Sequence, residues 1–521
     1  MKGTLTEQIL EQHLVEGRLT PGEPIAIRID QTLTQDATGT MAFLQFEAMG
    51  IPRVRTKLSV SYVDHNTLQM GFENADDHRF LRGLASRYGV IYSRAGNGIC
   101  HQVHLERFGV PGQTLLGSDS HTPTGGGLGM FAMGAGGIDV AVAMGGGPYH
   151  LIAPAVIRVN LLGSLPPAVT AKDIILQVLF LLTTKGNANT VLEYGGEGVA
   201  QLTVPERATI TNMGAELGVT TSLFPSDEQT RSFLAAQKRE GEFVPLVPRG
   251  DAVFARTLEI DLGKLAPMAA CPHTPDRVMP VFKLEKMKVD QVCIGSCTNG
   301  SYQDLMRAAA ILKGRRVPAS VSLVVVPGSR QVLQMITANG ALATLVDAGA
   351  RLVEPSCSFC IGMGQSPPSG GVSLRTNNRN FEGRSGTADA QVYLVSPATA
   401  AVSALFGEIT DPRTNAEAVR FSLPLPERML IDDTQLDYPA RAQELVKVVR
   451  GPNIGPPPAN TPLPSRLRGT VAIKLEDKIS TDHIMPAGRR LIYRSNVEKY
   501  SEYVFEGIDP GFSLKCKKEK D

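Results

Sequence analysis

Short runs of β-branched residues that alternate with helical patterns constrain the fold of this chain more than any other sequence feature. Three units share one plan, in which a strand is followed by a tight turn and a helix. They are PIAIRID with a helix near residues 41–49, QVCIGSC with a helix over 302–312, and SLVVVPG with a helix over 331–339. This repetition predicts an α/β fold with mostly parallel sheets. Ligands of such folds bind beyond the carboxyl ends of strands, so the turns GSCTNGS and VPGSR are candidate site segments.

The length of the chain predicts several domains. Its 521 residues exceed the roughly 250 to 300 residues at which a single hydrophobic core stops growing. We predict α/β domains over residues 1–154, 155–287 and 288–450. The stretch GPNIGPPPANTPLPSR cannot form a helix or a central strand, so residues 451–468 are interpreted as a semi-rigid linker. Residues 469–521 then resume with a strand and a loop, which predicts the start of another domain.

Composition excludes several classes of partner. The net charge is +1, from 52 basic and 51 acidic residues, so no global field favours nucleic acid or an anionic membrane. No apolar run reaches the ~18 residues that span a bilayer, and the acidic start MKGTLTEQILEQHLVEG is not a targeting peptide. Seven cysteines in so long a chain do not form a disulfide framework, which predicts a reducing, cytoplasmic location.

Glycines are concentrated in residues 117–147, which read GSDSHTPTGGGLGMFAMGAGGIDVAVAMGGG. The segment contains too many apolar residues for a linker, so we predict close backbone packing around a site. A phosphate cradle is disfavoured because the segment lacks a G-K-[ST] ending and the strand-glycine-helix order.

The cysteines are the strongest chemical signal. Cys357 and Cys360 form a C-x-x-C in EPSCSFCIGMG, which by itself fits zinc, a redox dithiol or an iron-sulfur site. Zinc would require a second C-x-x-C or closely spaced histidines, and the sequence has neither. Cys297 lies in a similar turn after a strand, so three thiolates could converge on an iron-sulfur cube with one open iron. A structural metal site without chemistry remains the alternative, and Cys293 is predicted to be core.

A series of motifs along the chain resembles the aconitase and isopropylmalate isomerase family of hydro-lyases, and within it the aconitases. The motifs follow the family's order from near the N-terminus to about residue 507: DATGTMA, DHN, ICHQ, GSDSHTPTGGGLG, NMGAELG, GSCTNGS, CSFCIG, NRNFEGR and TDHIMPAG. The resemblance implies three α/β domains around a central cleft, the start of an incomplete C-terminal swivel domain, and a [4Fe-4S] cluster held by Cys297, Cys357 and Cys360.

Imidazoles beside carboxylates are the second chemical signal, because a carboxylate orients a histidine and tunes its basicity. The resemblance implies that His65 and His101 act in protonation of the leaving hydroxyl, with Asp64 and Glu216 as their respective partners. Catalytic roles are implied for Asp64, His65, His101, Asp119, His121, Glu216, Asp482 and His483. Substrate-binding roles are implied for Thr40, Ser120, Asn212, Asn378, Arg379, Arg384 and Arg494.

Arginines supply the predicted carboxylate clamps. Arg379 and Arg384 lie five residues apart in NNRNFEGR, and guanidinium binds carboxylate in a bidentate manner. Arg494, twelve residues after Asp482, matches the arginine that holds the distal carboxylate of the substrate in aconitases. The resemblance therefore favours citrate and isocitrate over isopropylmalate.

Two departures from the aconitase pattern qualify this expectation. Thr40 occupies a position where aconitases commonly have a glutamine that binds substrate, and its shorter hydroxyl needs a water or a movement to replace that contact. The family's C-terminal serine motif Y-G-x-G-S-S-R-E, which carries the carbon-acid base, does not occur. We therefore predict impaired activity unless a separate C-terminal fragment or small subunit complements the chain.

The leading functional prediction is an aconitate hydratase that converts the tricarboxylate citrate to isocitrate through cis-aconitate. The alternatives are an enzyme like homoaconitase or the large subunit of isopropylmalate isomerase, or a cluster-free RNA-binding regulator. The near-zero net charge disfavours the regulator, because binding of RNA requires clustered Lys and Arg.

Overall fold

The fold is known from a computed structural model of the protein. It describes residues 2–69, 71–441, 445–459, 461–476, 479, 481–485 and 488–520. The side chains of residues 358, 481, 482, 488, 489, 491, 519 and 520 lie outside this description. Within the described ranges, every helix is either too short or too polar to cross a membrane.

The strands are short, with two to eight residues each. They are β1 Leu14–Glu16, β2 Pro24–Ile27, β3 Gln31–Gln35, β4 Leu58–Tyr62, β5 Ile91–Ser93, β6 Thr114–Gly117, β7 Phe131–Gly134, β8 Tyr149–Ile152, β9 Ala155–Leu162, β10 Thr190–Gly195, β11 Thr221–Leu223, β12 Arg256–Asp261, β13 Met268–Ala270, β14 Val278–Pro280, β15 Gln291–Gly295, β16 Ser322–Val326, β17 Arg351–Leu352, β18 Val372–Arg375, β19 Gln391–Val395 and β20 Leu436–Asp437.

Helices alternate with these strands along most of the chain. The α-helices are α1 Leu5–His13, α2 Gly39–Ala48, α3 Glu73–Tyr88, α4 Cys100–Arg107, α5 Gly137–Met144, α6 Ala171–Leu182, α7 Val204–Gly214, α8 Glu228–Ala236, α9 Ser296–Asn299, α10 Tyr302–Leu312, α11 Arg330–Ala338, α12 Ala341–Asp347, α13 Pro397–Phe406, α14 Ala416–Arg420, α15 Thr481–Ile484, α16 Val497–Ser501 and α17 Phe512–Lys520. The 3₁₀ helices are Thr122–Leu128, Glu197–Gln201, Ala215–Leu217, Glu240–Glu242, Leu262–Lys264, Val281–Lys283, Ser358–Ile361, Pro412–Thr414 and Gly488–Tyr493.

The larger sheets are mostly parallel, which confirms the predicted α/β class. A six-stranded sheet has the order β20-β5-β4-β3-β6-β7, and only its edge strand β20 is antiparallel. The four-stranded sheet β11-β10-β9-β12 is entirely parallel. The seven-stranded sheet β14-β13-β19-β18-β15-β16-β17 is parallel from β19 to β17 and antiparallel at β13 and β14. A small antiparallel sheet, β1-β2-β8, pairs with none of these sheets but packs into the same hydrophobic cluster as β6 and β7.

Two of the three predicted strand-turn-helix units form as expected, namely β15 with α10 and β16 with α11. The first unit was wrong in its strand, because PIAIRID contributes β2 to the small antiparallel sheet and β3 leads into α2 instead. The sequence of β3, QTLTQ, is polar at four of its five positions, although the strand is buried in the centre of its sheet. The buried hydroxyl of Thr32 is satisfied by Ser59 on the neighbouring β4, with the two oxygens 2.6 Å apart. A strand with such polar residues is therefore hard to recognise as buried from its sequence.

The helices that approach the candidate site begin at strong N-terminal caps. Thr170 and Asp173 form a capping box at the start of α6, and Thr203 and Glu206 form another at the start of α7. Each box satisfies backbone N–H groups that the first helical turn leaves without partners. The start of each helix is therefore fixed by local sequence before its apolar face packs.

The division of the chain into domains at residues 154, 287 and 450 remains a prediction. Each large sheet is formed mainly by one predicted domain, but two segments cross the boundaries. Strands β13 and β14 precede residue 287 and join the seven-stranded sheet, while β20 joins the six-stranded sheet from the far end of the third predicted domain.

The predicted linker begins as a packed segment. Ile454 is buried in the cluster that contains Phe43 and Phe80, and Asn453 Nδ2 donates to Asp77 Oδ1 at 3.2 Å. The strand predicted to follow the linker was wrong, because residues 469–476 form no strand and Val471 is 83% exposed. A strand needs a neighbour to satisfy its backbone, and the described structure provides none there.

Candidate active site

The candidate site lies at the carboxyl ends of two parallel sheets. The loops after β4 and β6 carry Asp64, His65 and Asp119. The short helix α9, which directly follows β15, carries Cys297, and the loop after β18 carries Asn378. The segment after β17 joins the two groups, because the backbone N–H of Cys357 donates to the carbonyl oxygen of Asp64 at 2.7 Å. The arrangement matches the general position of ligand sites in parallel sheets.

His65 lies between two carboxylates. Its Nδ1 is 2.8 Å from Asp64 Oδ1, which confirms the predicted pair, and its Nε2 is 3.3 Å from Asp119 Oδ2. Burial disfavours the charged imidazole, but Asp64 and Asp119 more than offset this and raise the pKa of His65 well above 6.5. His65 is therefore held in its protonated form near neutral pH.

The predicted pairing of His101 with Glu216 was wrong. His101 Nε2 is 2.8 Å from Asp119 Oδ1, whereas Glu216 Oε1 is 2.7 Å from His121 Nε2. The positions of the elements explain why the partners differ from the prediction. Helix α4 turns His101 toward the loop after β6, and the 3₁₀ helix Ala215–Leu217 after α7 brings Glu216 to His121. Burial alone would raise the pKa of Asp119, but His101 and His65 lower it well below its usual range.

Glu216 also binds one of the predicted arginine clamps. Arg379 Nε donates to Glu216 Oε1 at 2.8 Å, and Arg379 Nη2 donates to Ser120 Oγ at 3.1 Å. Burial opposes the charge of Glu216, but Arg379 and His121 lower its pKa from 4.5 to about 2. Burial and the nearby Arg379 lower the pKa of His121 below its ordinary value.

The histidines therefore differ in charge although they belong to one network. His65 is stabilised as a cation and can donate a proton, while His121 is stabilised as a neutral imidazole. Separation of pKa values between neighbouring titratable groups is how one site provides both an acid and a base near pH 7.

The three predicted cysteine ligands converge, and the amide of Asn378 lies between two of them. Asn378 Nδ2 donates to Cys297 Sγ at 3.5 Å, and Cys360 Sγ is 3.8 Å from Asn378 Oδ1. Cys357 bonds to Cys360 within the C-x-x-C, and this contact lowers the pKa of the Cys360 thiol and raises that of Cys357.

The donor set fits an iron-sulfur cluster. Burial and the nearby Cys360 raise the pKa of Cys297 to about 12, so the crowded thiols do not all ionise by themselves. A cationic iron-sulfur core stabilises the thiolates that ligate it and thereby resolves this crowding. Cys293, by contrast, is completely buried in β15 beside Phe359, which confirms its prediction as a core residue.

Asn212 and Arg384 complete the wall near the cysteines. Asn212 Oδ1 accepts from Asn378 Nδ2 at 3.0 Å and from Thr298 Oγ1 at 2.9 Å. Arg384 lowers the pKa of Cys360 as a nearby positive charge, yet its own buried Nε has no hydrogen-bond partner in the described structure. Arg384 thus retains unused capacity to bind an anion.

Arg494 extends from the C-terminal segment to the backbone that follows β3. Its Nη1 donates to the carbonyl oxygen of Ala37 at 2.9 Å, and it lines a cavity of about 460 Å³ together with Ser118 and Met485. Thr40 is buried in α2, and its hydroxyl has no hydrogen-bond partner in the part of the chain that is described. The side chain of Asp482 lies outside the described structure, and His483 is exposed on α15.

Asp36 is a site residue that the sequence prediction missed. Its Oδ1 accepts from the backbone N–H groups of Asp64 and His65 at 3.1 and 2.8 Å, and its Oδ2 accepts from Asn66 N at 2.8 Å and His78 Nε2 at 2.9 Å. These bonds fix the loop that presents His65. The available signal was an acidic residue directly after a strand, at the start of DATGTMA.

Arg375 is a second missed residue, and it is completely buried beneath the C-x-x-C. Its Nη1 donates to the carbonyl oxygen of Phe359 at 2.9 Å, and its Nη2 donates to Gln291 Oε1 at 2.7 Å. The signal was an arginine at the end of the apolar strand β18, where a charge is costly unless it has several partners.

The predicted close packing of the glycine-rich segment is confirmed at its centre. A Cβ added at Gly126 would overlap the carbonyl oxygen of Ser222, and one at Gly127 would lie 2.6 Å from Ala208 N in α7. The absence of side chains therefore lets the 3₁₀ helix lie directly against α7, which carries Asn212.

Comparison with known proteins identifies one family and relatives within it. The sequence profile of the aconitase family (aconitate hydratase) matches residues 7–286 and 281–407. The 3-isopropylmalate dehydratase large subunit 2 of Archaeoglobus fulgidus is 40% identical over 414 residues, which cover 79% of this chain and 99% of that protein. The 3-isopropylmalate dehydratase large subunit 1 of Thermotoga maritima is 39% identical over 417 residues, with the same two shares covered.

Among solved structures, aconitase X of Thermococcus kodakaraensis in its holo-form matches with a TM-score of 0.43 and 14% sequence identity. The match covers 68% of this chain and 84% of that one.

Proposed function

Because this chain belongs to the aconitase family, we propose that it is a hydro-lyase that removes and re-adds water on a 2-hydroxy acid of the 3-isopropylmalate type. One observation carries the proposal: three thiols and three histidine-carboxylate pairs lie together beyond the strand ends of two sheets. The names of the relatives support the substrate class, since both are 3-isopropylmalate dehydratase large subunits.

Cys297, Cys357 and Cys360 would hold a [4Fe-4S] cluster. When bound, such a cluster supplies a Lewis acid for the leaving hydroxyl group. Asn378 contacts two of the three sulfurs and would orient the thiols toward it. Arg375 would hold the C-x-x-C turn from beneath, through the carbonyl oxygen of Phe359.

The remaining chemistry belongs to the side chains of the chain itself. We assign proton donation to the leaving hydroxyl to His65, since its proton is retained by Asp64 and Asp119. His101 would hold the carboxylate of Asp119 in place beside His65, through the contact of its Nε2 with Asp119 Oδ1. Arg384 would bind a substrate carboxylate through its unused donors, with Arg379 beside it.

The carbon-bound proton also needs a base, and we assign that base to a second, smaller polypeptide or segment that covers the cleft. The designation of the relatives as large subunits supports such a partner. A cytoplasmic location is part of the same proposal.

A second candidate substrate is citrate, with isocitrate as its product, as in an aconitate hydratase. Arg494 favours it, because this cation lines a cavity beside Ser118, the residue before Asp119. A third carboxylate would match a guanidinium there, whereas an isopropyl group would match the apolar Met41 and Ile138 of the same cavity.

Anaerobic reconstitution with iron and sulfide, followed by activity assays, tests the proposal. We expect about four irons per chain, and reversible dehydration of 3-isopropylmalate once a small-subunit polypeptide of a relative is added. Citrate and homocitrate are assayed in parallel. Turnover of citrate alone would favour the second candidate.

The matched variants are Cys360→Ser and Cys516→Ser. The first removes a proposed ligand and should abolish stable cluster formation, whereas the second changes a cysteine in the C-terminal helix and should leave iron content unchanged. One tightly bound zinc and no iron in the reconstituted protein would contradict the cofactor and the function together.

A further inference from the structure

Lys172 is a charged residue in a place where an apolar one is expected. It lies in the first turn of α6, and its side chain is completely buried. No carboxylate oxygen of the described residues lies within ion-pair distance of its Nζ. Burial of an ammonium group without such a partner is costly, so this position needs a specific explanation.

The hydrogen bonds of Lys172 go to one short segment of backbone. Its Nζ donates to the carbonyl oxygen of Thr376 at 3.0 Å and to that of Asn377. These residues directly precede Asn378, which contacts two cysteine sulfurs, and Arg379, which binds Glu216. Lys172 therefore holds the turn that presents both of those side chains.

The same turn is tied to the loop of Cys297. Thr376 Oγ1 donates to the carbonyl oxygen of Gly295 at 3.0 Å and accepts from Gly295 N at 2.9 Å. Gly295 is two residues before Cys297. A shift of the turn would therefore move the ends of β15 and β18 relative to each other.

The charge of Lys172 faces Asp304, Cys297, Asp173 and Cys360. The two carboxylates are already used: Asp173 accepts from Thr170 and from Met268 N, and Asp304 accepts from Ser301 and Asn299. Burial lowers the pKa of Lys172 to about 7, so these groups do not fully offset the loss of water. The cysteine side is where further negative charge would arrive on cluster binding.

We propose that Lys172 is a positioning residue that fixes the 376–379 turn against Cys297 and Cys360 and places a buried positive charge beside the cluster they would hold. This inference rests on the proposed function for its electrostatic part. Its geometric part concerns the backbone of the turn and holds for the cluster-free chain as well.

Two substitutions separate the two parts. Lys172→Met removes both the hydrogen bonds and the charge at similar volume. Lys172→Gln removes the charge and keeps an N–H donor, but that donor is one bond shorter in reach and therefore holds the turn less well. Arg207→Met is the control, because Arg207 is another completely buried cation whose bonds go to Leu202, Val199, Pro225 and Asp227. We expect the control to lower overall stability without effects specific to the site.

The first measurement is hydrogen exchange of the cluster-free protein. Lys172→Met should accelerate exchange in peptides that cover residues 374–384 by roughly tenfold relative to Arg207→Met at matched stability. Unchanged exchange there would overturn the positioning role. If Lys172→Met does not fold, the exchange of Lys172→Gln is measured in the same way. We expect a smaller acceleration for this variant. Exchange identical to that of the parent protein would count against the positioning role.

The second measurement is the reduction potential of the reconstituted cluster. Both Lys172 variants should shift it to more negative values, because loss of a nearby positive charge disfavours the reduced cluster. An unchanged potential in Lys172→Gln would overturn the electrostatic role. If the parent chain binds no cluster at all, the proposed function fails, while the exchange measurement still decides the positioning role.

Discussion

Replacement of Glu216 with glutamine gives the most direct quantitative test of the histidine-carboxylate network. The amide keeps the shape of the carboxylate but removes its charge from between His121 Nε2 and Arg379 Nε. The folded protein lowers the pKa of Glu216 from 4.5 to about 2, and its side chain is only 4% exposed. This shift corresponds to about 3 kcal/mol of stabilisation by the ionised form. For a cooperative unit of 150–250 residues, we expect a melting temperature lower by roughly 6 to 12 °C at pH 7.

The pH dependence of this difference tests its cause. Because the folded pKa is lowered, the stabilisation is complete above the unfolded value of 4.5 and is lost as the pH falls from 4.5 toward 2. The gap between parent and Glu216→Gln in thermal unfolding should thus stay constant from pH 8 to 5 and narrow below that. Glu285 is exposed, so its replacement with glutamine should leave the melting temperature equal to that of the parent protein at every pH. A gap that closes between pH 8 and 6, or equal stability at pH 7, would refute the reasoning.

Three further substitutions probe other parts of the site. Arg375→Met should lower the free energy of unfolding by about 3 kcal/mol or more, because it leaves the carbonyl oxygens of Phe359 and Gln365 without their buried donor. Denaturant unfolding measures this loss, with the exposed Arg351→Met as the control. Gly126→Ala should lower the free energy of unfolding by about 2 to 3 kcal/mol, because the added Cβ overlaps the carbonyl oxygen of Ser222. Gly241→Ala, with open space around it, should leave thermal unfolding nearly unchanged. Asp119→Asn should lower kcat by roughly 10²- to 10⁴-fold with iron content retained, and loss of the cluster instead would show that Asp119 acts on the fold.

Much of the candidate site was predictable because its residues follow strands and stand in turns of small polar residues. Cys297, Cys357 and Cys360 do converge, and the pair of Asp64 with His65 forms as predicted. Asp64 and His65, like Cys357 and Cys360, are close in sequence and therefore constrained by the local chain, whereas Cys297 is brought to the C-x-x-C by the sheet. The assignment of Glu216 to His101 failed because their relative position depends on how the loop after β6 meets α7, which no short-range pattern encodes.

The residues that support the site were harder to find for a related reason. Asp36 and Arg375 make most of their bonds to backbone groups or to side chains far along the chain, so their partners leave no local sequence pattern. Lys172 lies in an apolar helix, AKDIILQVLFLL, and reaches backbone about 200 residues further along the chain. The buried strand β3 was not predicted at all, because four of its five residues are polar and give no apolar strand pattern.

The two clamp arginines differ in what substrate binding would cost them, and this difference orders their roles under the proposed function. Arg379 already neutralises Glu216, so a substrate carboxylate would have to share that guanidinium or displace an ion pair whose carboxylate is almost completely buried. Arg384 carries a buried Nε without a partner in the described structure, so a carboxylate that binds it displaces no existing bond to that atom. Satisfying an unpaired buried donor gains more than exchanging one partner for another. Arg384 is therefore the stronger determinant of affinity, and Arg379 chiefly links the bound carboxylate to the charge state of His121.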